Sequence, residues 1–488
     1  MLKLKVGNIR LHLLIIPAAV LLGILPSFIL GLPQIHYISI RLFYGFYFLI
    51  ALGVIIFQIR KFGTDGLISP LTWTLIGFVY FLFLNPILNA EYFDIYSKVR
   101  LYLPLALTVF AGMVSFIAGF FLAPNIKWSW LGRWALVPVT SRLATLLVLF
   151  WGIYATLLFY ISRSNGYEFY ELITKNAYLF GRKEILMEKF AGLSYYLFYI
   201  VRQLPIALAA LSIYCITDKN APKWKAFLIL IGLLLGIAVT INFGGRANLC
   251  YVLGAIILYL FIRNETVRKS SRTRVMFVLV IGVILFGMFF LTSLQMHFRS
   301  QKISATDLDL NLSNLIRGLE NNFFHETTDQ NFTLYRVVDA ERSGNLKYIW
   351  GESYALAFVA MIPRRIWPNK PGGDNMYYNL AIIDPWGENV NISHSYLGEL
   401  IYNFGGWGVI PGSIFFGLWA GMWWNFYLRY RTYARIQILY AMSVMPVSFM
   451  VRGTFAAMFG GILYPMLFTV VILKISKPSR RRKYRYLF

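Results

Sequence analysis

Arginine at membrane depth is costly, and its default reading is functional. Six arginines stand out among or beside apolar stretches of this chain. Arg163 closes one stretch, Arg202 lies about nine residues inside another, and Arg246 follows Asn242-Phe243-Gly244-Gly245. Arg364 and Arg365 end a short apolar segment, and Arg452 falls between the last two long ones. Guanidinium groups are planar, permanently charged and bidentate, so a cavity lined by several of them suits phosphate oxygens and holds a diphosphate without a metal. The paired glycines before Arg246 let backbone approach a ligand closely. The alternative for each is a side chain snorkelling to lipid phosphates. Arg202, by its depth, and Arg246, by its glycines, fit that alternative least.

A second constellation runs from Ile392 to Gly408 and carries His394 and Glu399. A histidine donates to or accepts from a sugar hydroxyl or phosphate near neutral pH, and a desolvated glutamate is a candidate base. In one continuous helix the two would lie about 140° apart, so they need not touch. Each also has a structural reading: His394 as a helix cap, Glu399 as the partner of an arginine. Other chemistry is missing. Gly244-Gly245-Arg246 has neither the spacing nor the lysine of a phosphate-binding ATPase loop, and no His-Glu-x-x-His occurs. Five scattered histidines and two cysteines in apolar stretches suggest no metal site. Asp307-Leu308-Asp309 is better explained as a helix start than as a metal-holding pair, and Asn-x-Ser/Thr triplets at Asn311, Asn331 and Asn391 are short enough to be chance. No cofactor is expected.

The elements that must position these residues are membrane helices. Of 488 residues 58% are hydrophobic and 14% charged, against about 25% charged in a soluble domain. Apolar windows long enough to span fall near 11–31, 38–58, 68–90, 99–122, 143–162, 193–216, 226–243, 247–262, 275–296, 396–428, 436–451 and 454–473. The expected fold is an all-α polytopic membrane protein of about twelve transmembrane helices. Residues 1–296 hold nine spans and a short outer loop at 163–192. Residues 297–393 form one large extracytoplasmic loop, 394–474 three further spans, and 475–488 a basic tail. Within the large loop Leu308, Leu312, Leu315, Ile316, Leu319 and Phe323 repeat at helical spacing. Tyr354 to Ile362 is apolar, too short to span and stopped by Pro363, which suggests a re-entrant or surface-lying helix.

With the N-terminus in the cytoplasm, the inner segments collect 26 basic residues against Asp65, Asp218 and Glu265, while the rest of the chain has 20 basic and 18 acidic residues. The net charge of +25 is thus explained by orientation, with both termini inside, rather than by nucleic-acid binding. The C-terminal Lys477 to Arg485 cluster suits lipid headgroups.

The Gly-Gly-Arg turn at 244–246, the stretch from Ile362 to Pro371 and the His-Ser-Tyr-Leu-Gly-Glu-Leu run leading to Phe404-Gly405-Gly406-Trp407-Gly408 resemble bacterial oligosaccharide repeat-unit (O-antigen) polymerases of the Wzy type. More distantly they resemble O-antigen ligases. The resemblance implies a GT-C-like glycosyltransferase layout in the bacterial inner membrane. It also implies metal-independent transfer, inverting or retaining, between polyprenyl-diphosphate-linked oligosaccharides on the periplasmic face, with the bilayer and a chain-length regulator as partners. By carry-over, Arg246, Arg364 and Arg365 contact diphosphate and His394 sits in the active cavity. From the residues themselves, Arg163, Arg202 and Arg452 join the diphosphate set, His394, Glu399 and Arg246 form the catalytic set, and Trp367, Asp374, Tyr377 and Tyr378 are the candidates to bind sugar. Trp350, Trp386 and Trp407 add aromatic surface that an interfacial belt would also explain. Where the ligases carry His-Asn this chain has His394-Ser395, which weakens the ligase alternative. The remaining alternative, a lipid or solute transporter, expects broken helices in two related halves. Asn85-Pro86 and Pro205 are possible breaks, but they form no matching pair.

Overall fold

The computed structural model describes residues 33–89, 99–125, 139, 142–164, 193–243, 246–263, 330–359, 362, 367, 369 and 395–476. Expected spans 11–31 and 275–296, the segment of Leu308 to Phe323 and the tail beyond 476 lie outside these residues. Among the described residues every regular element is helical. Six helical stretches are long and apolar enough to cross a bilayer: Ile40–Ile68, Pro70–Ile87, Tyr102–Leu122, Arg142–Arg163, Lys223–Thr240 and Met458–Ile475.

In chain order the helices are α1 (Pro33–Phe62), α2 (Pro70–Phe78), α3 (Leu84–Asn89), α4 (Val99–Leu122), α5 (Arg142–Ser164), α6 (Leu193–Thr217), α7 (Lys223–Phe243) and α8 (Arg246–Arg263). There follow α9 (Gln330–Arg342), α10 (Glu352–Val359), α11 (Ser395–Phe404), α12 (Val409–Tyr430), α13 (Ala434–Phe449) and α14 (Phe455–Ile475). The expected span at 396–428 is two helices. Gly405 takes a positive φ of 76°, donates its N–H to the Ile401 carbonyl at 2.6 Å and so closes α11 after ten residues. Only glycine adopts that backbone without strain. The chain then reverses, so that Leu400 of α11 packs over Gly412 of α12.

Helix α12 runs in the same direction as α4 along a seam of small residues. A Cβ at Gly417 would lie 2.2 Å from the Phe116 carbonyl oxygen, one at Gly421 2.4 Å from that of Phe120, and one at Gly119 2.2 Å from that of Ile414. Backbones approach this closely only where side chains are absent, as at the small-residue seams of membrane helix pairs.

Several of the described basic residues tie helix ends together. Arg431, at the close of α12, donates to buried Asp65 in the short 3-10 turn Gly63–Ile68. Arg263 donates to the carbonyls of Tyr214 and Thr217, and Lys225 to the Thr145 hydroxyl at 2.8 Å. Segments that the charge pattern assigned to one side of the membrane thus touch one another.

Between α2 and α3 the helix widens into a π segment, Val79–Phe83. Pro86 has no N–H to give the carbonyl four residues back, and its ring crowds that carbonyl. The carbonyl is Leu82's, and Asn331 of α9 fills the place with its side-chain Nδ2 at 2.5 Å while accepting from the Tyr44 hydroxyl at 3.2 Å. Asn331 is 1% exposed, so its Asn-x-Thr triplet is a packing feature of the folded chain rather than a glycan acceptor.

Candidate functional site

Helix α11 sits inside the protein with nine of its ten residues buried. It begins deep: the Tyr396 ring meets Phe416 edge-on at 5.8 Å, and Leu397 fills the space over Gly112. Its first residue, Ser395, has a strained φ of 51°. The Ser395 N–H donates to the Arg452 carbonyl and the Tyr396 N–H to that of Met450, each at 3.2 Å. The Ser395 hydroxyl accepts from the Leu397 N–H at 3.1 Å. The amide groups that would make this helix start an anion site are therefore taken by the chain itself.

What they hold is the turn between α13 and α14, which carries Arg452. Its guanidinium lies 5.8 Å over the ring of Phe81, a residue of the π segment, and Phe81 in turn packs edge-on against Phe449 at 5.8 Å. Tyr251 of α8 closes the group, edge-on to Phe449 at 5.5 Å and within electrostatic reach of Arg452. Arg246 begins α8, five residues before Tyr251, so its backbone stands about 7.5 Å further along the axis. Four separate elements thus meet around one arginine.

Glu399 is fully buried. One carboxylate oxygen accepts from the Phe455 N–H, at the first turn of α14, where a negative group complements the helix dipole. Among the described residues this partner is a backbone amide rather than an arginine. Oε1 meets no hydrogen-bonding partner among the described residues, with the Ser353 hydroxyl beside the carboxyl and Tyr354 and Tyr402 within electrostatic reach. Glu399 and Asn403 are one turn apart, and the Asn403 amide donates to the Glu399 carbonyl and to the Ser353 hydroxyl, both at 2.8 Å.

Helix α10, from the expected large loop, lies along the first turns of α14. Tyr354 meets Phe455 at 5.2 Å and Phe358 meets Phe459 at 4.6 Å. Glu399→Gln is expected to keep an acceptor for the Phe455 N–H and to melt near the parent protein. Glu399→Ala, which strands that N–H, is expected to lose about 1–3 kcal/mol. Thermal unfolding of both variants checks this, and the activity of the Gln form shows whether the ionised carboxylate has any further role.

The other expected site residues are distributed as follows. Arg163 lies in the last turn of α5 with its guanidinium 5.7 Å over the exposed ring of Phe159. Arg202 lies within α6, three residues before Pro205, and the side chains of Arg202 and Arg246 are outside the described residues. Trp367 is exposed. His394, Arg364, Arg365, Asp374, Tyr377 and Tyr378 lie outside the described residues, so of the six expected arginines the side chains described are those of Arg163 and Arg452.

Sequence reasoning missed Phe81 and Ser353, and saw Asn331 only within an Asn-x-Thr triplet. Pro86 signals that the Leu82 carbonyl needs a donor, but nothing local says that residue 331 supplies it. Among the described residues no group of histidine, cysteine, aspartate and glutamate is arranged to hold a metal ion. The fold is that of a helical membrane protein. Compared with protein-family models, curated proteins and solved structures, the chain matches none.

Proposed function

We propose that this protein polymerises polyprenyl-diphosphate-linked oligosaccharide repeat units into a surface polysaccharide. In this reading it is a GT-C-like membrane glycosyltransferase of about twelve spans in a bacterial cytoplasmic membrane. Its termini are cytoplasmic and its site faces outward. The observation that supports the reading best is the setting of Arg452. A turn carrying a guanidinium is fixed by α11, which follows directly on the His394 motif, and α8, which starts at Arg246, packs beside it.

The reaction breaks the bond between the anomeric carbon of the donor glycan and its phosphate oxygen and forms one from that carbon to an acceptor hydroxyl oxygen. The electron pair leaves with the lipid diphosphate, and the hydroxyl proton passes to a base, for which His394 and Glu399 are the candidates. Cationic donors aimed at the departing diphosphate lower the barrier most where charge develops. The driving force resides in the substrate, so the reaction needs no ATP or nucleotide sugar.

The test is reconstitution of the full-length protein in detergent with lipid-linked repeat units from the producing cells. A ladder of elongated lipid-linked product is expected. Transfer to a different lipid acceptor without a ladder would identify a ligase, and no transfer at all, with lipid-linked units moved across a liposome membrane, would identify a transporter.

A further inference from the structure

Two aromatic side chains are held exposed by the backbone that carries them. Trp350 is 74% exposed and Tyr348 41% exposed, with their rings in edge-on contact at 5.9 Å. Both lie in the connector between α9 and α10. This connector is locked to the end of α11. The Ile349 N–H donates to the Tyr402 carbonyl at 3.1 Å and the Trp350 N–H to that of Asn403 at 3.2 Å. The Gly351 N–H donates to the Asn403 side-chain oxygen at 2.8 Å. Trp350 itself takes a φ of 45°, a conformation that costs a bulky residue energy and persists only where the surroundings impose it. Strain of this kind on an exposed aromatic is an expense with no packing return.

Beside the rings stands a carboxylate. Glu341 Oε1 accepts from the Gly406 N–H at 2.6 Å and from the Tyr348 hydroxyl at 3.4 Å, while Oε2 takes no partner among the described residues.

From this ledge we infer a binding site for a neutral glycan chain, in which a pyranose ring lies on the Trp350 and Tyr348 faces and its hydroxyls donate to the Glu341 carboxylate. The competing occupant is the bilayer interface, where tryptophans anchor helices. Two observations favour the glycan. The ledge is hydrogen-bonded to the end of α11, nine of whose ten residues are buried, rather than to one of the long apolar helices. Next to it Arg342, Ser343, Asn345 and Lys347 are exposed and polar, beside the exposed rings of Phe404 and Trp407, and the Glu341 carboxylate offers an acceptor suited to sugar hydroxyls. The site is distinct from Arg452 and rests on the proposed function only for the identity of the glycan, the growing chain or its acceptor.

The experiment uses full-length protein in nanodiscs and, as probe, lipid-free oligosaccharide cut from the surface polysaccharide of the producing cells. Saturation-transfer NMR is expected to show transfer to sugar ring protons. Trp350→Ala is expected to weaken binding about tenfold, as loss of one stacking face implies, while Trp350→Phe retains most of it and Arg452→Ala all of it. Trp350→Gly removes the strain and is expected to lose binding without lowering the melting temperature. Unchanged binding in Trp350→Ala overturns the site. So does tryptophan fluorescence that brominated lipid quenches in the parent protein but less in Trp350→Tyr, since that places the ring in the bilayer. Failure of the polymerase reading looks different: sugar binding persists in protein that elongates nothing.

Discussion

Arg452→Ala is expected to abolish long polymer and leave lipid carrying a single repeat unit, with protein level and fold preserved. The side chain lies on a turn whose backbone is held by Ser395 and Tyr396 from one side and by the Glu399 carboxylate at Phe455 from the other, so deleting the guanidinium leaves the turn's supports intact. The lost interactions include the contact with the Phe81 ring and the electrostatic interaction with Tyr251, and with them goes the charge offered to a leaving diphosphate. Removing one donor to developing negative charge slows an enzyme by about 100- to 1,000-fold, which turns a polymer ladder into a one-repeat product. Arg452→Lys keeps the charge but not the planar two-pronged donor and is expected to fall between. Gel analysis of the lipid-linked glycan, with membrane protein level measured in parallel, is the check. Normal chain length in Arg452→Ala would remove this residue from the site.

Gly417→Leu is expected to lose most of the folded protein. A side chain at this position starts inside the backbone of α4, 2.2 Å from the Phe116 carbonyl oxygen, and neither helix gives way without opening the seam that also carries Gly119 and Gly421. Overpacking a fitted core costs about 1–3 kcal/mol and sometimes more. Here the obstacle is rigid backbone rather than a mobile side chain, so the upper part of that range applies. Because α12 also supports α11 at Gly412, and at Gly408 just before it, polymer formation is expected to fall with the folded fraction. Gly53→Leu is the control. It lies within α1, where a Cβ would meet nothing within 4 Å, and it is expected to melt like the parent. Size-exclusion profile and thermal unfolding compare the two, and equal behaviour would show that the seam tolerates separation.

Sequence and structure agree where the governing energy is local. The positions of α4, α5, α7, α8 and α14 follow from uninterrupted apolar length, because every backbone polar group in hydrocarbon must be satisfied within its own segment. The assignment of Arg263, Arg431 and Lys225 to one side of the membrane follows from charge alone. Helix identity is likewise local in α10, where Tyr354 to Val359 is apolar and Pro363 lies just beyond.

Hydropathy reads 396–428 as one span because Gly405 to Gly408 is not polar enough to interrupt it. The reversal there comes from a positive φ at Gly405, from Glu341 accepting the Gly406 N–H, and from Leu400 packing over Gly412. The second of these is a contact with a distant part of the chain. The partner of Glu399 is 56 residues away in sequence, and the partner of the Leu82 carbonyl is 249 away. Which donor meets a buried acceptor depends on how helices pack, and packing is decided by close steric fit summed over many contacts. The amino-acid order alone therefore determined a set of apolar helices and the arginines set against it. Only the tertiary structure decided that α11 is a separate buried helix clasping the Arg452 turn, because that clasp consists of hydrogen bonds between segments that no local rule brings together.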